Sequence, residues 1–210
     1  MKVNPAAPEP PLVAAAVACL QRGGLVAYPT DTLYGLGVDA LNAEAVERLY
    51  ALKGRQAGQA VPLLVSDETM LRALVAEVPP GAVRLMARFW PGALTLVFRP
   101  QPTLPAALLG ESGGVGVRVA AHPVAAGLVR GLASPLTATS ANPAGAPPAL
   151  SAEMVQEYFG AKVDLILDGG PSPIGQGSTV LDVTVDPPRL VREGVISRAT
   201  LEAVIGPVNR

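Results

Sequence analysis

The chain has 210 residues, half of them hydrophobic and 16% charged, with a formal net charge of -1. This composition supports a substantial core and excludes intrinsic disorder, and the near-neutral charge excludes a nucleic-acid binder that relies on overall basicity. A single cysteine, Cys19, excludes an intrachain disulfide, and with a single histidine, His122, it makes no zinc site. No apolar run approaches the ~20 residues of a membrane helix, and prolines at 5, 8, 10 and 11 break any signal-peptide core. A cytoplasmic protein is expected.

In chain order, residues 1–8 read as a flexible arm. A helix is expected over 11–22, with proline in its first turn and Gly23-Gly24 past its end. The run 24–28 reads as a buried strand. It leads into YPTDTLYGLG at 28–37, a hydroxyl- and glycine-rich loop at a strand's carboxyl end, where open α/β sheets hold ligands. The same stretch also suits an ordinary strand-to-helix turn with an Asp cap. Asn42 is a good N-cap for a helix to about Leu52 that delivers Lys53 and Arg55. These two cations either cap the helix or bind an anion.

Residues 56–60 look mobile. A strand is expected over 61–65, and Ser66-Asp67 cap the helix after it. Further elements are a helix at 82–89, a strand at 93–98 with Trp90 packing before it, and a strand at 115–119. Glu111 and Ser112 lie in the loop before that last strand. Arg118, a charge in an apolar strand, needs a carboxylate of the protein or of a ligand. His122-Pro123 opens a helix to about 131, His122 serving as a cap. Residues 134–142 read as one strand ending in Ser140 and Asn142, which share a face in extended chain. Ser151 caps a helix to about 159. Strands follow at 163–167, 178–183 and 190–194, and Ser197 caps a last helix. The Pro- and Gly-rich loop 171–177 is a candidate lid. Alternating strands and helices make the class α/β with a mixed sheet in one domain.

Several standard sites are missing: a Walker phosphate loop, a G-x-G-x-x-G turn after a strand, and a G-x-S-x-G elbow. The polar residues left at strand ends and in loops are Lys53, Arg55, Arg118 and Arg192, with Thr30, Thr32, Ser140, Asn142 and Ser178. Cations beside neutral hydrogen-bonding groups suit a polyanion held with a small polar molecule. Catalysis at such a site is positioning plus charge stabilisation, as in phosphoryl transfer.

Eight stretches then occur in series: YPTDTLYGLG, LKGR at 52–55, PLLV at 62–65, FWPGALTLVF at 89–98, VGVRV at 115–119, TSAN at 139–142, GSTVLDVT at 177–184 and LVREG at 190–194. In this order they resemble the YrdC-like family, the threonylcarbamoyl-AMP synthases. The resemblance implies a twisted mixed β-sheet flanked by helices around a concave, positively charged cleft. It implies a YrdC-like domain over 9–205, in the short form of the family. It also implies a nucleotidyltransferase joining L-threonine, bicarbonate and ATP, with Mg²⁺, into threonylcarbamoyl-AMP and pyrophosphate. That product feeds threonylcarbamoyladenosine formation at tRNA position 37, through downstream threonylcarbamoyl transferase proteins and with possible tRNA contact.

By matching, Thr32, Ser66, Arg118, Ser140 and Ser178 form the threonine side, and Lys53, Arg55, Asn142 and Arg192 the ATP side. No residue is identified as an acid or base. This chain departs from the family pattern at Ser66, often histidine, at Gly177, often glutamate, at Glu193, often proline, and in a slightly long 55–62 segment. The alternative is a YciO-like RNA- or nucleotide-binding protein of the same fold without established synthase activity. A scaffold with a decayed site is the third reading.

Overall fold

A computed structural model describes residues 1–54, 59–102, 104–110 and 112–210. The first half holds α1 (Pro10–Gln21), β1 (Val26–Pro29), β2 (Tyr34–Gly37), α2 (Ala43–Lys53), β3 (Leu63–Leu64), α3 (Glu68–Leu74), α4 (Pro80–Phe89) and β4 (Leu94–Phe98). The second half holds β5 (Val115–Arg118), α5 (Pro123–Leu132), β6 (Leu136–Thr137), β7 (Thr139–Ser140), α6 (Ala152–Phe159), β8 (Leu165–Ile166), β9 (Thr179–Asp182), β10 (Arg189–Arg192) and α7 (Arg198–Ile205).

The helices start where their caps say. Asn42, Asp67, Ser151 and Ser197 each accept a hydrogen bond from the backbone N–H three residues on. Gly54 ends α2 in the left-handed region at φ 62°, where a side chain is disfavoured. At α3 the cap is Asp67, and Ser66 Oγ donates to its carboxylate at 2.8 Å. Helices α1 and α5 approach closely because Gly127 and Gly131, one turn apart, face Val13 and Val17.

The strands form two mixed sheets in one α/β domain, ordered β7-β2-β1-β8 and β10-β9-β4-β5-β3-β6. Two sequence expectations change here. The YPTDTLYGLG stretch is a β-hairpin, not a strand-to-helix turn: β1 and β2 pair antiparallel from Val26↔Gly37 to Pro29↔Tyr34. Gly35 and Gly37 lie in β2 because the buried Tyr28 ring covers them; a Cβ on Gly37 would meet Tyr28 Cε1 at 2.7 Å. The segment 134–142 is two strands, not one. β6 pairs with β3 in the larger sheet and β7 with β2 in the smaller, so the chain changes sheet at Ala138. Ala138 N–H donates to Pro62 O at 2.7 Å at that crossing.

The amino-terminal residues are not a loose arm throughout. Val3 is buried, and its N–H donates to Asp168 O at 2.8 Å, continuing the edge of the smaller sheet beside β8. One apolar side chain and an unfilled backbone edge are enough to hold it. At the other end Val208 is buried, and Asn209 bridges to Arg189 on β10, so ordered packing runs past residue 205. Among the described residues no helix is long and apolar enough to cross a membrane.

Candidate functional site

A cleft of about 1010 Å³ opens over one face of the larger sheet. Its floor follows the two-residue period of the strands. Thr95 and Val97 come from β4, Gly116 and Arg118 from β5, Val180 and Asp182 from β9, and Arg189 and Val191 from β10. Gly114 and Gly116 keep the floor low: a Cβ on Gly114 would meet Val97 Cγ1 at 2.5 Å, and one on Gly116 would meet Thr95 Cγ2 at 3.2 Å. Thr30, Thr32 and Tyr34 of the hairpin, together with Thr139 and Ser140, form the facing wall. The site therefore lies between the two sheets.

Arg118 is the buried cation of this floor, with its side chain 8% exposed. Its partner is a carboxylate of the protein: Nη2 donates to Asp31 in the hairpin loop. Nε donates to Gly92 O at 2.7 Å and Nη1 to Thr32 Oγ1 at 3.1 Å. Thr32 Oγ1 in turn lies 3.0 Å from Thr30 Oγ1. Burial pushes the Arg118 pKa down, and the Asp31 charge opposes that shift. These three bonds use three of the five guanidinium N–H groups, so the side chain retains donors for a ligand.

Across the floor Ser178 is buried, and its hydroxyl lies 2.9 Å from Thr95 Oγ1. Arg192 reaches over from β10 and donates through Nη2 to Ser178 O at 2.8 Å. Gly177 leaves room for that guanidinium, since a Cβ there would lie 3.3 Å from Nη2. Gly194 touches the same backbone so closely that a Cβ would meet Gly177 O at 2.2 Å. Thr32, Arg118, Ser140, Ser178 and Arg192 thus line one cleft.

Lys53 and Asn142 stand behind the wall. The Lys53 ammonium is 2% exposed and donates to Ser140 O and to Asn142 O, the latter at 2.7 Å. The Asn142 side chain accepts from Ser140 Oγ at 2.6 Å and donates to Ala146 O at 2.7 Å. Together they fix the Ser140–Asn142 turn. Ser66 lies outside the cleft wall, with its hydroxyl on Asp67. Arg55, most of the 56–60 segment and Glu111 lie outside the described residues.

The 171–177 loop borders the cleft through Gln176 and Gly177, and Gly175 N–H donates to Thr32 O at 3.1 Å. The Tyr34 hydroxyl donates to Gly170 O at 2.8 Å, and burial pushes its pKa up to about 12, so it is no base at neutral pH. His122 caps α5 through Nδ1, which accepts from Val124 N–H at 3.2 Å. Sequence reasoning did not single out Asp31, Thr95 or Thr139. An acid in a Thr-Asp-Thr loop carries no local sign of which cation it meets. Thr95 and Thr139 read only as strand residues.

No group of three or more His, Cys, Asp or Glu side chains among the described residues makes a metal site. Asp182, the buried carboxylate of the floor, is already bonded to Thr184 and Arg189.

The family model for Sua5/YciO/YrdC, described as telomere recombination, matches residues 18–194. A Bacillus subtilis threonylcarbamoyl-AMP synthase is 40% identical over 201 residues, covering 95% of this chain and 58% of that protein. The crystal structure of Pyrococcus abyssi Sua5 complexed with L-threonine is 38% identical, with a TM-score of 0.95. It covers 100% of this chain and 62% of that one. Escherichia coli YciO is 31% identical with a TM-score of 0.87, covering 96% and 98%. The chain thus spans less than two thirds of the first two relatives' length and nearly all of the third's.

Proposed function

The chain belongs to the Sua5/YciO/YrdC family, and on that premise we propose that it is a nucleotidyltransferase. It forms L-threonylcarbamoyl-AMP and pyrophosphate from L-threonine, bicarbonate and ATP in the cytoplasm. The observation that carries this reading is Arg118 in the floor of the cleft, held on three sides and still able to donate. A buried guanidinium with donors to spare suits an α-carboxylate. The P. abyssi relative was crystallised with L-threonine.

In this reading the threonine carboxylate takes Arg118, with Thr32, Ser140 and Ser178 around the ligand. The threonine amine adds to bicarbonate and water leaves, giving a carbamate. A carbamate oxygen then bonds to the α-phosphorus of ATP, and the bond to pyrophosphate breaks. Arg192 and Arg55 supply charge along the triphosphate, where a Mg²⁺ carried on ATP would add further neutralisation of its phosphates. Lys53 and Asn142 support this step by fixing the Ser140 turn. Ser66 acts from outside the wall, through the cap of α3. tRNA and threonylcarbamoyl transferase proteins are the downstream partners.

The test is pyrophosphate release from ATP and bicarbonate with L-threonine, with L-serine and with no amino acid. Release that requires L-threonine carries the proposal. The 31% identity to E. coli YciO leaves a second reading, a YciO-like nucleotide- or RNA-binding protein of the same fold. ATP binding without release, and RNA affinity that falls steeply with salt, would select it.

A further inference from the structure

Arg118 is already held by Gly92 O and Thr32 Oγ1, and the site adds a carboxylate. Asp31 is 15% exposed and lies behind the cleft wall rather than in it. Its Oδ2 accepts from Arg118. Its Oδ1 is buried without a hydrogen-bond partner among the described residues. A neutral acceptor at this position would complete the guanidinium without desolvating a carboxylate. What the carboxylate adds is charge. Arg118 alone presents one positive charge to the floor, and Arg118 with Asp31 sums to zero. His122 faces the same carboxylate, but burial lowers its pKa from the ordinary value, so it is neutral near pH 7 and leaves the sum unchanged.

We propose that Asp31 sets the ligand class of the Arg118 subsite: it cancels the charge of that guanidinium and so selects a zwitterionic amino acid over an anion of the same shape. This rests on the amino-acid reading of that end of the cleft. The remaining Arg118 donors bind any carboxylate, and with a bare positive charge a simple anion is favoured. With Asp31 behind the guanidinium, the incoming carboxylate also meets a repulsion. An ammonium one carbon away in the ligand offsets it, and the loss is full for a ligand that lacks one. Screening is weak because both partners are buried. Asp31 is a positioning residue, acting through Arg118 and through its charge.

The experiment is calorimetric binding of L-threonine and of its 2-hydroxy analogue, 2,3-dihydroxybutyrate, in which a hydroxyl replaces the ammonium, at pH 7. Both are measured on the wild-type chain and on Asp31→Asn, which keeps the shape and removes the charge. The wild type is expected to favour L-threonine by about tenfold or more. Asp31→Asn is expected to narrow that ratio by about tenfold, chiefly through tighter binding of the analogue. A ratio unchanged in Asp31→Asn overturns the proposal. If that variant does not fold, the wild-type pair decides, and equal affinity for the two ligands overturns it. If the wild type binds neither, the amino-acid reading itself falls and takes this proposal with it.

Discussion

The two ends of the cleft are built by different means. At one end Arg118 rises from the middle of a six-stranded sheet, and a carboxylate and a hydroxyl of the hairpin loop and a carbonyl of the turn before β4 hold it. At the other end the groups sit at the margins of the sheets. The turn after β7 is fixed by a lysine beneath it, and Arg192 is exposed at an edge strand. A charge buried in a sheet has few ways to move once its partners are in place, so it is pre-organised at the cost of desolvation. An exposed charge on an edge strand stays near water, costs little to hold, and keeps its freedom to move. The difference is between a pre-organised end and an adaptable one.

The largest expected effect comes from breaking the first end. Arg118→Leu leaves Asp31 buried and unpaired, which costs about 3–5 kcal/mol of stability. Threonine-dependent turnover falls by ~100-fold or more, with threonine affinity reduced more than ATP affinity. Adding Asp31→Asn restores the melting temperature but not turnover. Equal loss of both affinities would make Arg118 a structural residue and erase the contrast between the ends.

At the second end, Lys53→Met strands the Ser140 and Asn142 carbonyls and is expected to cost about 2–4 kcal/mol in urea unfolding, with weaker ATP binding. Unchanged stability with ATP binding abolished would show that Lys53 acts on phosphate rather than on the turn. Gly194→Ala tests the joint between the ends, because its Cβ runs into Gly177 O and the Ser178 backbone that holds Arg192. About 1–3 kcal/mol of destabilisation is expected, as for other overpacked sites. KM should rise for both substrates; a rise for ATP alone would place Gly194 at one end only. The smallest effect is set by Arg72→Ala, which removes an exposed pair with Glu68 on α3. It should change stability by less than about 0.5 kcal/mol and turnover not at all; a larger loss would mean that α3 couples to the site.

Much of the site was legible because it is written in short stretches. Thr32, Arg118, Ser140, Ser178 and Arg192 were named from their loops and strand ends, and all line the cleft. Asp31 was not, nor were the two carbonyls that the Lys53 amine holds.

The reason is range. Caps, helix ends and turn residues act over three or four positions, so Asn42, Asp67, Ser151 and Ser197 mark their helices without help from the rest of the chain. The sequence by itself therefore determined the helices, most strands, the α/β class and several of the residues that line the cleft. Arg118 and Asp31 are 87 positions apart, and Lys53 and Asn142 are 89. Which partner each buried charge takes is decided when the two sheets close on one another. Only the tertiary structure determined the hairpin at β1 and β2, where a tyrosine ring covers two glycines, and the change of sheet at Ala138. The first is a contact within one hairpin that its turn residues do not announce, and the second depends on packing between segments that no local pattern connects.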